Sequence, residues 1–414
     1  MKERRVVITA LGVVSSIGLG KDEFWKANLQ GKSGVDLVSD FDTSLLNSKV
    51  ISQVKNFNPE EHLSKDVVKK VDRFAHLGLA SSKMALEDSK LDLNKEDRNR
   101  IGVIFGSGLG GILFHEEQMV RAYDKGAHRL SPFCVPRITP NAVSSQIAIY
   151  FNLLGTNMVI SNACASGTNA IGEAYRKIKK READLILTGG AEAPLTGFTF
   201  AAYDAMKALS KRNDPPQEAS RPFDKDRDGF VLAEGAATLI LEDLKHALKR
   251  GAHIYSEITG YVSNSGAYHM VIPQPEGLDV ARAMADVLKD ARLKPKHIDY
   301  INAHGTSTTL NDRVETKAIK DVFRDYAHKI PVSSTKSMIG HSIGAAGAIE
   351  AVVCSLAIEN QIIPPTINYK TPDPECDLDY VPNQARGAKV NTVLSNSFGF
   401  GSNNACLVFK KFRS

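Results

Sequence analysis

Seven short runs rich in β-branched residues punctuate the chain: RRVVITALGVV, RIGVIFGSG, NMVIS, ADLILTGG, IDYINAHG, KIPVSST and NTVLSNSFG. Stretches with helical spacing separate them. In residues 74–88, for example, Leu77, Leu79, Ala80, Met84 and Leu86 face mostly one way. Such alternation predicts an α/β fold with sheets buried between helical layers, because each element must cover its apolar side against another. The 414 residues allow a large core, and no low-complexity segment or obvious linker interrupts them.

Composition narrows the function classes. A net charge of +5 suits a local basic patch facing an acidic protein partner, but leaves no nucleic-acid footprint. The runs RKIKKRE and KHALKR read as solvated helix faces. Cys134, Cys164, Cys354, Cys376 and Cys406 are scattered, odd in number and without a CxxC pair. This argues against a disulfide framework or structural zinc and points to a reducing, cytoplasmic setting. The start MKERRVVITALGVVSSIG imitates a signal peptide, yet Val6, Val7, Ile8 and Thr9 read as a first strand and no small-x-small cleavage site follows. No apolar run is read as long enough to cross a membrane.

The order strand, glycine-containing loop, helix, strand, small-residue elbow, helix occurs around IGVIFGSGLGG and NMVISNACASGTNAIG. It recurs around IDYINAHGTST and IPVSSTKSMIGHSIGAAGAIE, which places Cys164 and His341 in corresponding positions.

Cys164 stands where an apolar run ends and a helical stripe of Ala170, Ile171, Ala174 and Ile178 begins. A helix dipole favours an anion there by about 0.3–1 kcal/mol. At about 1.4 kcal/mol per pKa unit, that lowers a cysteine by roughly one unit from ~8.5, so further donors are needed nearby. The other reading is a buried, inert cysteine. His304 closes a strand before the hydroxyl-lined Thr306, Ser307 and Thr308. Lys336, His341 and Glu350 share an otherwise small, apolar segment. Phe398 and Phe400 sit in a glycine-rich loop between two strands, where Phe400 can act as a movable apolar gate. GSGLGG imitates a dinucleotide fingerprint, but no strand ending in a ribose-binding acid follows, so NAD is set aside. One cysteine and two histidines on three small-residue elbows point to nucleophilic acyl transfer.

Taken together, NACASGTNAIG, TGGAEA, RPFDKDRDGFVLAEGAA, AYHM, YINAHGTST, SSTKSMIGHSIGAAGA, PPTIN, DPECDLDYVPN and SNSFGFG carry a specific resemblance. The chain resembles, over essentially its full length, the β-ketoacyl-acyl-carrier-protein synthase II family of elongating condensing enzymes, including type II polyketide ketosynthase alpha subunits. The resemblance implies the thiolase fold, an α/β fold of duplicated halves layered α-β-α-β-α. Residues 1–255 would carry the nucleophile and residues 256–414 the two histidines. The implied reaction is decarboxylative Claisen condensation of malonyl-carrier protein with a cysteine-bound acyl chain, in fatty-acid, polyketide or polyene synthesis.

By the same resemblance Cys164 accepts the acyl group, and His304 and His341 stabilise the malonyl enolate. Alanine at either histidine is then expected to impair decarboxylation more than acylation. Backbone N–H groups of Cys164 and Phe400 form the oxyanion hole, and Lys336 and Glu350 support the histidines. Thr306, Thr308 and Phe398 meet the substrate arm, while Leu109 and a neighbouring subunit's copy of Phe133 line the acyl pocket. Lys65, Lys69 and Lys207 meet the acyl carrier protein. No cofactor is required beyond phosphopantetheine on that partner; a bound Na+ or K+ would sit at Asn302, Glu315, Glu350, Ser395 and Asn396. The assembly would be a homodimer, or a heterodimer with a chain-length-factor-like subunit, without nucleic acid or membrane.

A non-catalytic ketosynthase-like scaffold or chain-length subunit is the competing reading. A thiolase is disfavoured, because GFGSNN holds no second cysteine. Three departures from the family pattern are expected near the substrate entrance: Ser402 with Asn403 in GFGSNN, Val271, and Cys134. Ser402 would cost up to ~1 kcal/mol if its φ is positive, which Asn403 would offset by tolerating the left-handed conformation or by bonding to local backbone. Together they suggest a gate tuned to an unusual chain, against neutral drift in a fatty-acid enzyme.

Overall fold

The computed structural model describes residues 3–413, so Met1 and Lys2 of the basic head lie outside them. The apolar run that follows is strand β1 (Val6–Ser15), buried along its whole length. The first half continues with β2 (Ile101–Gly106), β3 (Asn157–Ile160), β4 (Leu185–Glu192) and β5 (Gly235–Asp243). The second half contributes β6 (Ser256–Ser265), β7 (Tyr300–Asn302), β8 (Val332–Ser333), β9 (Thr392–Gly399) and β10 (Asn403–Lys410).

The strands form one sheet ordered β3-β2-β4-β5-β1-β6-β10-β9-β7-β8, with Gly18–Leu19 paired beside β1. Counted from its outer edge, each half runs third, second, fourth, fifth, first strand. The pairing senses also repeat: β2 is parallel to β3 and β4, and β7 is parallel to β8 and β9. The halves meet where β1 and β6 pair antiparallel, with Val7 opposite Glu257. Three of these strands, β5, β6 and β10, were not among the seven runs read from the sequence; β10 is the second of the two strands expected to flank the glycine-rich loop of Phe398 and Phe400.

Helices α1 (Ser166–Lys179) and α2 (Ala346–Asn360) lie between the half-sheets and touch both. Their Ala170, Ile171, Ile178, Val352 and Leu356 share one core with Ile8 and Leu407. The helix Arg73–Ser89 covers the outer face of the first half, and Leu278–Asp290 with Thr309–Phe323 covers that of the second. The result is five layers, α-β-α-β-α. Close approach at the centre needs glycine: a Cβ at Gly347 would stand 2.0 Å from Thr168 Oγ1.

One expectation is corrected here. The helical segment Ile343–Asn360, 18 residues, is long and apolar enough to cross a membrane, but 89% of it is buried inside the protein. An all-round apolar helix is what a layer covered on both sides requires.

At the far end of β5, buried Glu242 accepts hydrogen bonds from Thr9 (2.9 Å), Arg250 (2.8 Å) and His246, and His246 also meets Glu96 at 2.9 Å. Burial alone would lower the imidazole, but the two carboxylates outweigh it and hold His246 above its ordinary value. The stabilisation is complete below the unfolded value of ~6.5 and is lost as pH rises through the raised folded value. Calorimetry between about pH 6 and 8 is therefore expected to show wild type losing stability faster than His246→Gln, by at most about 1 kcal/mol. Parallel pH curves for the two proteins would contradict this.

Candidate active site

After β3 the chain enters a tight turn, Ala163–Ala165, with Ala163 at φ 48°, and runs directly into α1. The second half repeats this: the turn Ile343–Ala345, with Ile343 at φ 42°, leads into α2. Both are strained conformations for residues with a Cβ, held by the surrounding packing. The shared geometry corrects the sequence register. Gly344, not His341, corresponds to Cys164, and His341 lies three residues earlier.

The fold nevertheless brings the two together. His341 Nε2 stands 3.0 Å from Cys164 Sγ, across 177 positions of sequence. His304 lies beside them, its ring 5.4 Å from that of His341 and nearly perpendicular. Phe230 meets His341 edge-on, and Phe398 does the same to His304. Behind His304, Lys336 Nζ donates to the His304 carbonyl (2.8 Å), lies 3.4 Å from Nδ1 and pairs with Glu350. Glu315 accepts the backbone N–H of His304 at 2.9 Å and of Gly305 at 2.8 Å. Backbone N–H groups of Phe400 and of Cys164 itself point at the thiol.

Burial dominates the electrostatics. It pushes the thiol up to about 12, against the pull of Lys336 and the two N–H groups. The expected lowering at a helix start is thus reversed, because desolvation of a thiol only 6% exposed outweighs a dipole worth about 1 kcal/mol. Burial, reinforced by the Lys336 charge, holds both imidazoles well below their ordinary value, so they are neutral. A Lys336 N–H directed at Nδ1 of His304 leaves the His304 proton on Nε2, facing the thiol. Donor atoms of Cys164, His304 and His341 lie within 4.8 Å of one another, a set that zinc can use. The Lys336 ammonium directly behind His304 works against a divalent cation there.

A cavity of about 370 Å³ opens over this triad. Thr306, Thr308, Phe398, Phe400 and Lys207 line it, and the two threonine hydroxyls share a 2.9 Å hydrogen bond. Leu109 and Phe133 do not: Leu109 donates its N–H to Glu192, and Phe133 is 52% exposed. Lys65 and Lys69 stand apart from Lys207, at the short helix Lys65–Val68. Asn302, Glu315, Glu350, Ser395 and Asn396 are all buried, and among the described residues Asn302 Oδ1 and Glu350 Oε2 have no hydrogen-bond partner. Cys406 lies in β10, with its thiol directed at Asn396, away from the cavity.

The description "Beta-ketoacyl synthase, N-terminal domain" matches residues 3–247, and "Beta-ketoacyl synthase, C-terminal domain" matches residues 255–370. The chain belongs to the β-ketoacyl synthase family. It is 46% identical over 413 residues to 3-oxoacyl-[acyl-carrier-protein] synthase 2 of Synechocystis sp., covering 100% of this chain and 99% of the relative. The enzyme of the same name from Coxiella burnetii is 46% identical, covering 99% of both chains. Among solved structures, a β-ketoacyl synthase from Burkholderia phymatum aligns with TM-score 0.92 at 34% identity, over 99% of this chain and 100% of its own. A type II polyketide ketosynthase, solved in complex with its acyl-carrier protein and bound to a hexaketide, aligns with TM-score 0.91 at 37% identity over 100% of both chains.

Within this synthase two of the three departures line the cavity, Ser402 and Val271; Cys134 does not, lying beside exposed Phe133. Ser402 itself takes the positive φ, 59°, after Gly401 at 78°, while Asn403 begins β10 and donates to the Phe400 carbonyl at 2.9 Å. Ser402 Oγ donates to the His269 carbonyl (3.2 Å) and accepts the Tyr268 N–H (3.3 Å). Two backbone bonds, Gly266 N–H to Ser402 and Gly401 N–H to Met270, both 2.8 Å, complete a seam between the Phe400 loop and the exposed segment carrying Val271. Ser402→Gly is expected to leave stability within about 1 kcal/mol of wild type, since relief of φ offsets the lost bonds. Backbone hydrogen exchange in residues 266–272 and 399–403 should rise together; unchanged exchange in both segments would refute the side chain's role.

The sequence reading missed two residues that shape the site. Phe230 left no local signal. Glu192 did, as an acid at the end of a continuous apolar strand.

Proposed function

We propose that this protein is a β-ketoacyl-acyl-carrier-protein synthase, an acyltransferase that extends a Cys164-bound acyl chain by decarboxylative condensation with a malonyl thioester. The observation that carries the reading is a buried thiol 3.0 Å from a neutral imidazole, beside a second neutral imidazole and two convergent backbone N–H groups. The family and the 46% identity to 3-oxoacyl-[acyl-carrier-protein] synthase 2 support it.

In the first half-reaction His341 Nε2–H donates to Cys164 Sγ as the sulfur attacks the acyl thioester carbonyl, and the thiol proton passes to the departing carrier sulfur, which leaves as a thiol. The oxyanion rests on the N–H groups of Cys164 and Phe400. In the second, the malonyl thioester loses carbon dioxide, and the electron pair of the broken C–C bond moves onto the thioester oxygen. Neutral His304 and His341 each donate Nε2–H to that oxygen. The resulting enolate carbon attacks the Cys164 thioester, the C–S bond breaks, and a β-ketoacyl thioester two carbons longer leaves on the carrier. No strong base is needed, because decarboxylation itself creates the nucleophile. Both imidazoles must stay neutral for this, and burial beside Lys336 keeps them so.

Thr306 and Thr308 hold the pantetheine arm, Lys207 with Lys65 and Lys69 meets the carrier protein, and Phe400 gates the acyl chain. A second copy of the chain docks along β3, an open sheet edge flanked by exposed Phe133, Ile149 and Leu154, and brings Phe133 toward the acyl path beside Leu109. The chain divides functionally near residue 255, in the connection between β5 and β6. Its five free cysteines suit a reducing cytoplasm. A monovalent cation fits Asn302, Glu315, Glu350, Ser395 and Asn396, where two buried oxygens lack partners. It would supply a fixed positive charge beside the buried carboxylates behind His304.

Intact-protein mass after incubation with saturated acyl-carrier substrates, then malonyl-carrier protein, tests the reading. The purified chain alone, as a homodimer, is expected to gain an acyl mass and release a product two carbons longer. No acyl mass from any substrate would overturn the enzyme reading. Activity only when a chain-length-factor subunit is added would replace the homodimer by a heterodimer.

A further inference from the structure

In the glycine-rich loop that imitates a dinucleotide fingerprint, the N–H groups of Gly108 and Leu109 converge on Glu192. This carboxylate, at the end of β4 and fully buried, accepts the N–H of Gly108 (2.6 Å) and Leu109 (3.0 Å) and the hydroxyl of Ser107 (3.2 Å), all from the first half. From the second half it accepts the N–H of Gly344 at 2.9 Å, in the turn that follows His341. A Cβ at Gly344 would stand 2.5 Å from Glu192 Oε2 and 2.4 Å from the Gly108 nitrogen, so the approach requires glycine on that side. Buried carboxylates are retained where several donors converge on them, and removing such an acceptor strands every donor.

We propose that Glu192 is a positioning residue for the Cys164–His341 pair: its carboxylate ties loop 107–110 to the turn Ile343–Ala345 and so fixes how His341 meets the thiol. The same clamp holds Leu109, so the acyl path and the catalytic imidazole share one support. Of the charged and titratable groups facing Cys164, Lys336 favours the thiolate; Glu192, which burial raises to about 7, opposes it once ionised; His304 and His341 are neutral; and Tyr203, pushed up by burial and by Cys164 and Glu192, stays a neutral phenol. The inference rests on Cys164 being the nucleophile, which alkylation examines separately.

The test uses the full chain with Glu192→Gln, Glu192→Asp and Ser107→Ala, each checked by thermal melting. Gln keeps the length but turns an N–H toward some of the donors; Asp keeps the charge but falls one methylene short. Acylation of Cys164 is expected to slow about 10- to 100-fold in both Glu192 variants, in kcat rather than KM, as for a misplaced catalytic group. Iodoacetamide labelling of Cys164 should move to lower pH in Glu192→Gln, where a nearby negative charge is gone, and stay near wild type in Glu192→Asp. Ser107→Ala, which loses one donor only, should slow acylation about fivefold, the worth of one hydrogen bond. Folded Gln and Asp variants with wild-type kcat and unmoved labelling would overturn the proposal. Should they fail to fold, wild-type acylation by Ser107→Ala would do so. Wild-type protein that iodoacetamide labels at another cysteine and not at Cys164 would instead strike the nucleophile assignment.

Discussion

Cys164→Ala is expected to take up no acyl group and to lose elongation by at least about a thousandfold, the scale on which a nucleophile's removal is felt. No other cysteine can substitute. Cys354, Cys376 and Cys406 are buried thiols that desolvation pushes up, and among the described residues no imidazole meets any of them. Cys134 is more accessible but lies outside the cavity. Malonyl decarboxylation should survive in the same variant, because His304, His341 and Lys336 are untouched. Intact mass after incubation with an acyl-carrier substrate reads the first outcome, and carbon dioxide release reads the second. Acyl mass mapped to any of the other four cysteines, with Cys164 unmodified, would sink the assignment.

The second large effect separates the histidines. His304→Ala should lower malonyl decarboxylation by about 10²–10³, the cost of one preorganised donor to a developing oxyanion. Acylation should fall less, since His304 makes no hydrogen bond to the thiol. His341→Ala should impair both steps, because the Nε2 that faces the enolate oxygen also lies 3.0 Å from Sγ. This amends the expectation from sequence, which gave both histidines to the enolate alone. The wild-type decarboxylation rate should show no inflection near pH 6.5, since burial and Lys336 hold both imidazoles far below that value. Equal loss of acylation and decarboxylation in His304→Ala would mean the two roles are wrongly divided.

Much of the fold was legible because strand and helix periodicities are local properties. All seven β-branched runs form strands, and residues 74–88 lie within the helix Arg73–Ser89. β5 escaped because its buried start is Gly235, Ala236 and Ala237, too small to mark a strand. β6 escaped because Ser, Glu and Asn interrupt its apolar residues on the way to an exposed end. The membrane-length helix escaped because glycines, alanines and Glu350 read as an elbow, where the central layer buries them all.

The chemistry divides along the same line. Residue types at their spacings determined the reaction class, since a cysteine and two histidines on small-residue elbows suit acyl transfer; the resemblance to condensing enzymes, in which a thiolase's second cysteine is missing, disfavoured thiolysis. Tertiary structure alone decided which histidine faces the thiol and that Gly344 rather than His341 mirrors Cys164. It also decided that the thiol is held up, that Ser402 bears the positive φ, and that Glu192 joins the two halves. Each of these depends on groups brought together from distant parts of the chain or on the water that packing removes. Desolvation and long-range contact are properties of the packed whole, and no local pattern of residues encodes their balance.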